Sequence, residues 1–433
     1  MNKKNDACVS AYIHMHPHSL SKSITLGPML GNATKNRADG SYTARVVFET
    51  LKDQVIHVQL SDTSCRVVHR ILAIPHLETH VLHILKVTYA PVPDAILDVT
   101  LCDDCTIHIP RTEHSTQTIK THFLSCDGEH TKEYNTSSPV EFYSSATPYS
   151  LEFDSLWERL NATIAKDGPS RVFHIGDQVY MDDVVSAVVF AETPKTQAEM
   201  MAMIGEFYRA KFNKPFRHCV LKSAFNVMMW DDHEVVNTYR TVLKHNARQY
   251  ELPADLEPLL ISAYHYYQRS LYEDPDAPSN MPTMHVQMED AQFIIPDLVA
   301  FRKLADSPDA MPIMGEAQFN HVKSLLDNPE RTYAFTGVIF TEALIGTGRL
   351  GNYILTRAVD QDWLSQYGGT HTRVAEFERT LSMLMATDPV KRARCSWSVV
   401  ACTMPSTQLS RMHIMARCAS FRTLSQVPSA RSC

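Results

Sequence analysis

The segment SRVFHIGDQVYMDD, residues 170–183, decides how the rest of the chain is read. An apolar run ends at Gly176-Asp177, and Gln178, Tyr180, Asp182 and Asp183 follow. An apolar run of this length that stops at glycine reads as a buried strand with a tight turn at its end. SAFNVMMWDDHEVVN (223–237) repeats the pattern and closes on Asp231, Asp232, His233, Glu234 and Asn237. THFLSCDGEH (121–130) is a shorter strand that closes on Cys126 and Asp127. One acid at a strand end is commonplace, because such acids cap helices. Three strand ends that each close on Asp, His, Cys or Tyr point to a ligand.

Around these strands the hydrophobic period becomes helical. Helices are expected over 150–168, 194–212, 256–273 and 316–328, and further strands over 291–302, bent at Pro296, and 333–343. Alternating strands and helices imply an α/β domain whose sheet is covered on both faces, with ligands at the carboxyl ends of the strands. Upstream the grammar differs. ARVVFET (44–50), VIHVQLS (55–61), RVVHRILAI (66–74), THVLHILKVTY (79–89), AILDVTL (95–101) and TIHIP (106–110) are rich in β-branched residues. Several alternate apolar and polar residues, as half-buried strands do, at the spacing of a small all-β sandwich. The expected organisation is a flexible N-terminus (1–22), a β-sandwich domain (23–115), an α/β domain (116–390) and a basic, Ser/Cys-rich tail (391–433).

Composition sets the outer bounds. The 433 residues are 44% hydrophobic and 21% charged, ordinary for a globular protein. Glycine is scarce, 14 residues in all, less than half the usual ~7%, which argues against a fold built on glycine-rich loops. Net charge is −7, but residues 391–433 hold seven Lys or Arg and no acid, so the preceding 390 carry −14. An acidic body is not a nucleic-acid surface. It suits a site that attracts cations. No apolar run is long enough to span a membrane, and the N-terminus lacks the apolar core of a signal peptide. Ten cysteines without regular spacing fit a reducing compartment, so a cytoplasmic location is expected. Cys102 and Cys105 form a lone CxxC, read as a strand turn rather than a redox pair. His14, His16 and His18 belong to a frayed end rather than to a designed site. No GxxxxGK[ST] supports a nucleotide-binding reading.

The strand-end residues are a mixed ligand set. Carboxylate and amide oxygens suit Ca²⁺, Mg²⁺ or Mn²⁺, whereas a thiolate and a phenolate suit a softer or ferric ion. Two neighbouring metals sharing a bridging carboxylate would use all of them, clamping a phosphoryl group and activating a water. Asp177, on the central strand turn, is the natural bridge. His233 sits beside a ligand and can donate to a phosphoryl oxygen or leaving group.

GDQVYMDD (176–183) and WDDHEVVN (230–237) resemble the strand-end signatures of the alkaline phosphatase D (PhoD-like) group of calcineurin-type metallophosphoesterases. LGPMLGNAT (26–34), LSC (124–126), FYRAKFNKP (207–215), PDLVAFR (296–302) and GEAQFNHVKSLL (315–326) are similar to other pieces of that family in order and spacing. DQDWLSQY (360–367) with Arg373 is a looser match. The resemblance spans roughly residues 25–385. It implies a β-sandwich followed by a four-layer α/β/β/α domain that hydrolyses phosphate mono- or diesters with two or more metal ions, iron plus calcium, or manganese or magnesium. By motif position, Cys126, Asp177 and Tyr180 would hold the iron-like ion. Asp177, Asp232 and Asn237 would hold the second metal. His233 would face the phosphate, with Asp177 and His233 as the catalytic pair, and Arg302 would contact substrate.

The family closes its site with a Gly-Asp-x-His segment after another buried strand. Here SWSVVACT (396–403) supplies a candidate strand, but Met404-Pro405 follow, and His413 stands in no ligand-like context. Either the motif is lost by divergence, leaving a catalytically impaired metal- or phosphate-binding protein, or the last 40 or so residues are read out of frame.

Overall fold

The computed structural model describes residues 23–36, 38–93, 95–102, 105–111, 120–125, 149–236, 239, 252–288, 291–301, 314–328, 333, 335–341, 376, 379–380 and 382–384. Segments 1–22, 360–373 and 391–433, and the candidate residues Cys126, Asp127, Asn237, Arg302 and His413, lie outside them.

Seven strands open the fold: β1 (Leu26–Lys35), β2 (Tyr42–Leu51), β3 (Val58–Leu60), β4 (Arg66–Ile74), β5 (Leu77–Tyr89), β6 (Ile96–Leu101) and β7 (Cys105–Pro110). They make two antiparallel sheets, ordered β1-β2-β5-β4 and β3-β6-β7. On β6 and β7 the period of two holds. Leu97, Val99, Leu101, Ile107 and Ile109 are buried and share one core with Leu30, Val46, Phe48, Leu85 and Val87 of the larger sheet. β1 and β2 do not alternate, because both of their faces are covered. Leu26, Met29, Val47, Leu82 and Ile84 belong to a second core shared with the helices downstream.

The remainder alternates strand and helix as expected. β8 (Lys120–Leu124), β9 (Ser170–Ile175) and β10 (Phe225–Met229) form a parallel sheet with β9 central. α1 (Tyr149–Asp167) precedes β9, and α2 (Asp182–Val189), α3 (Gln197–Phe212) and α4 (Pro215–Ser223) lie between β9 and β10. α5 (Leu256–Tyr267) is followed by a 3₁₀ turn, Arg269–Leu271. A second sheet takes β11 (Met284–Gln287), β12 (Ala291–Ile295) and β13 (Phe335–Val338), with α6 (Gly315–Asp327) between the last two. No helix of the described residues is long and apolar enough to cross a membrane.

Local chemistry explains several boundaries. α3 starts at Gln197 because Thr196 and Glu199 cap it reciprocally. α4, unforeseen in the sequence, starts on Pro215, whose missing N–H suits the first helical position. The helix expected over 256–273 ends at Tyr267, where the chain tightens into the 3₁₀ turn. β13 is shorter than expected, four residues of the 333–343 run.

The N-terminal sheets and the α/β portion are tied by buried polar groups. Glu49 is fully buried and accepts hydrogen bonds from Thr25 Oγ1 (2.7 Å), Arg209 (3.0 Å) and Tyr267 Oη (2.7 Å). Asp274 receives Arg45 (2.6 Å), Arg70 (2.8 Å) and Lys86 (2.7 Å). Burial alone would raise its pKa, but hydrogen bonds from Lys86 and Arg45 hold it at about 2. Gly31 is required by proximity: a Cβ there would lie 2.4 Å from the Leu271 carbonyl oxygen.

His83 is buried, stacks on Phe48 at 4.6 Å, and hydrogen-bonds Thr50 and His69 at 2.8 Å each. Burial, then the neighbouring His69, pushes its pKa down from 6.5 to about 4. The unfolded chain therefore takes up a proton that the folded one refuses between those values. Stability is full above about pH 6.5 and falls as pH drops toward 4, by on the order of 3 kcal/mol from this residue. Thermal unfolding at pH 7 and pH 4.5 should show the loss, and His83→Gln should flatten the difference.

Candidate metal centre

The three parallel strands bring their carboxyl ends to one edge. Leu124 is opposite His174, and Met229 is opposite Ile175, so β8, β9 and β10 end at one edge and the turns after β9 and β10 leave the sheet together. After β9 the chain turns sharply. Gly176 has φ +91° and Asp177 φ +59°, both left-handed. Asp and Asn are among the few non-glycine residues that tolerate this region. Gly176 is needed for a second reason: an added Cβ would lie 2.7 Å from Asp231 Cβ. The two turns are in direct contact, and the Gly176 amide donates to the Met229 carbonyl at 2.8 Å.

Glu234 clasps them. Its carboxylate accepts the backbone amides of Asp177 (3.1 Å), Gln178 (2.7 Å) and Asp231 (2.8 Å), and the Gln268 side-chain amide (3.3 Å). It is fully buried. Burial raises its pKa to about 7, against the opposing pull of the donated amides. Glu234 is thus the third residue of a short 3₁₀ turn, Asp232–Glu234, capped by Asp231.

Within this frame one ligand atom each of Asp177, Asp232 and His233 falls within 4.8 Å of the others. Asp177 and Asp232 are buried. Burial drives the Asp177 pKa well above the carboxylate range; Asp232, Asp231 and Glu234 add to the rise and His233 opposes it. His233 Nδ1 is bonded to Asp182 at 2.7 Å, its ring packs against Tyr180 at 4.1 Å, and its carbonyl accepts from the Met181 amide at 2.9 Å. Burial would lower the His233 pKa, but the carboxylates of Asp182, Asp232 and Asp177 outweigh it and raise it well above 6.5. The Tyr180 phenol is pushed well above its usual value, first by burial and then by Asp177, Asp232 and Asp182.

Such crowding of like charge in a buried site is the electrostatic counterpart of a cation site. The two carboxylates fit a divalent or ferric ion by donor type, with the His233 imidazole beside them. Tyr180 would join as phenolate only against a strongly charged ion, since its carboxylate neighbours resist ionisation.

Of the expected site residues, the structure brings Asp177, Asp232 and His233 together, with Tyr180 against the His233 ring. Cys126, Asn237 and Arg302 lie outside the described residues. Two roles were not foreseen. Asp182 bonds His233, and Glu234, grouped with the candidate ligands by its spacing, bonds backbone instead. Asp297, upstream of Arg302, is also structural: it accepts Trp230 Nε1 at 2.7 Å and caps the amides of Val299 and Ala300.

No family model matches this sequence, and no curated protein matches it. Among solved structures, that of PhoD is similar, with a TM-score of 0.53 over 89% of this chain and 72% of the PhoD chain. The chain is PhoD-like in fold. Only 13% of residues are identical, so what the two share is the backbone path.

Glu234→Gln leaves one oxygen to serve amides that now use two. It should destabilise the fold by about 1–3 kcal/mol in urea unfolding. It should also weaken Mn²⁺ binding measured by calorimetry, because Asp177 and Asp232 lose their shared support. Gly176→Ala should do both more severely.

Proposed function

We propose that this chain is a metal-dependent phosphoesterase that hydrolyses phosphate mono- or diesters with a metal-activated water. The observation that carries the reading is the convergence of Asp177, Asp232 and His233 within 4.8 Å at the ends of adjacent parallel strands, in a fold similar to PhoD's. Asp177 would bridge two ions. Cys126 and Tyr180 would complete one of them, iron-like, and Asp232 and Asn237 the other, calcium, manganese or magnesium. Bound there, the ions supply charge to the phosphoryl oxygens and lower the pKa of a water. Asp182 holds the imidazole of His233 by Nδ1 and keeps its proton, which leaves Nε2 to donate to a phosphoryl oxygen or to the departing alcohol. Arg302 is proposed as a second contact to the phosphate.

The finer architecture follows the same reading. The shared core of the two N-terminal sheets supports a β-sandwich over 23–115. The two three-stranded α/β sheets, with helices between their strands, support the inner layers of an α/β/β/α domain over 116–390.

A second reading rests on the sequence of 391–433, where no Gly-Asp-x-His appears: a chain that keeps metal or phosphate but turns over poorly. Purified protein loaded with iron and calcium, or with manganese, should release p-nitrophenol from p-nitrophenyl phosphate or its bis ester. Asp177→Asn should abolish release, and Asp182→Asn should reduce kcat more than metal content. Activity that survives Asp177→Asn would remove the site assignment. Stoichiometric metal with no turnover on either ester would favour the second reading.

A further inference from the structure

β4 is the edge of the four-stranded sheet, ordered β1-β2-β5-β4. It pairs with β5 from Arg66 to Ala73, after which the register slips. Among the described residues its outer edge pairs with no strand. Three of its side chains are exposed and β-branched: Val67 (37%), Val68 (56%) and Ile71 (59%). Val67 and Ile71, opposite Val87 and His83, share one face, and Val68, opposite Lys86, lies on the other. Edge strands normally carry protection in the form of proline, shortness, a bulge or an inward charge. β4 is regular over Arg66–Ala73 and has no proline. Its one central charge, Arg70, is drawn away onto Asp274 and Asp276 at 2.8 and 2.6 Å.

We propose that β4 pairs antiparallel with β4 of a second copy of this chain, with the two-fold axis between the two copies of His69. Charge selects this occupant's register. In an antiparallel self-pairing, residues facing each other must point the same way, so the axis falls between two copies of one residue. Only axes at His69 or Arg70 use most of the regular edge from Arg66 to Ala73. An axis at Arg70 sets arginine directly against arginine, which is destabilising. An axis at His69 separates them: Arg70 faces Val68 of the partner subunit, and Arg66 faces Leu72 of the partner subunit. The same register sets Val67 against Ile71 of the partner subunit, twice by symmetry. The exposed apolar side chains thus find one another, and the outward amides and carbonyls of both strands are satisfied. The pairing lies away from Asp177, Asp232 and His233 in sequence and uses none of them, so it stands whether or not the chain hydrolyses phosphoesters.

Sedimentation equilibrium of the full chain at micromolar concentration should give twice the chain mass. Ile71→Lys and Val67→Lys should return it to the mass of one chain with unchanged circular dichroism. Val55→Lys, at a residue 68% exposed but off the edge, should leave the dimer intact. The register is read separately: under mild oxidation His69→Cys should give a 69–69 disulfide on peptide mapping, and Arg70→Cys should give little. A wild-type monomer at all concentrations, a dimer that persists in Ile71→Lys, or crosslinking at 70 in preference to 69 would overturn the proposal. So would a monomer that instead captures an extended acidic peptide along β4. If a lysine variant fails to fold, the two cysteine variants still decide the matter.

Discussion

Everything in the candidate site hangs on the Glu234 carboxylate. It lies between two strand-end turns that contact each other through Gly176 and Asp231, and it accepts amides from both. A buried carboxylate that accepts several backbone amides replaces the water those amides would otherwise need. Neither turn can relax without leaving donors unpaired. This geometry holds Asp177 in a left-handed conformation beside Asp232, and the positions of the other polar groups follow from it. His233 is the residue before the clasp, and Asp182 begins the helix that the Asp177 turn feeds.

The same frame forces an electrostatic problem. Asp177, Asp231, Asp232 and Glu234 are all buried, and Asp182 is nearly so. Burial raises the pKa of Asp177 and of Glu234, and the neighbouring carboxylates add to the rise at Asp177. His233, held protonated by its neighbours, offsets one negative charge. It cannot offset several. A bound cation removes the remaining repulsion. That is the physical reason to read the cluster as a metal centre rather than as a set of helix caps. The acidic balance of the first 390 residues acts in the same direction, since it favours approach of cations to this face.

How much of this was legible beforehand varies with the kind of signal. β9 and β10 were legible because apolar runs ending in Gly-Asp or Trp-Asp-Asp have few other readings. That they are neighbours, with β9 central, follows from the parallel α/β pattern. Glu234 was not separable from its neighbours, because DDHE offers four candidate ligands and spacing cannot say which one turns back toward the amides. β1 was legible only through family resemblance: LGPMLGNAT carries no alternation, since both of its faces are covered. The short helices α2 and α4 were missed for a related reason. VVSAVV is apolar at almost every position although only Val184, Val185 and Val188 are buried, so its sequence pattern does not distinguish a helix from a strand.

The change of pattern near residue 115 is real in the sequence, yet the core crosses it. The 3₁₀ turn after α5 shows why this matters for the site. Gln268, fully buried, donates to Glu234 and to Tyr208. Immediately after it, the Ser270 carbonyl accepts Arg45 Nε at 2.8 Å, and Leu271 packs against Gly31. One short turn therefore joins β1 and β2 at one end to the carboxylate clasp at the other. Glu49, between Arg209 and Tyr267, fixes α3 and α5 to the same strand. The N-terminal sheet thus acts as the wall against which the site is built. Its β1 and β2 side chains are covered on both faces for that reason. Removing the sheet would take from Gln268 the backing that presents its amide to Glu234, and the two acidic turns would lose their alignment before any ligand was lost.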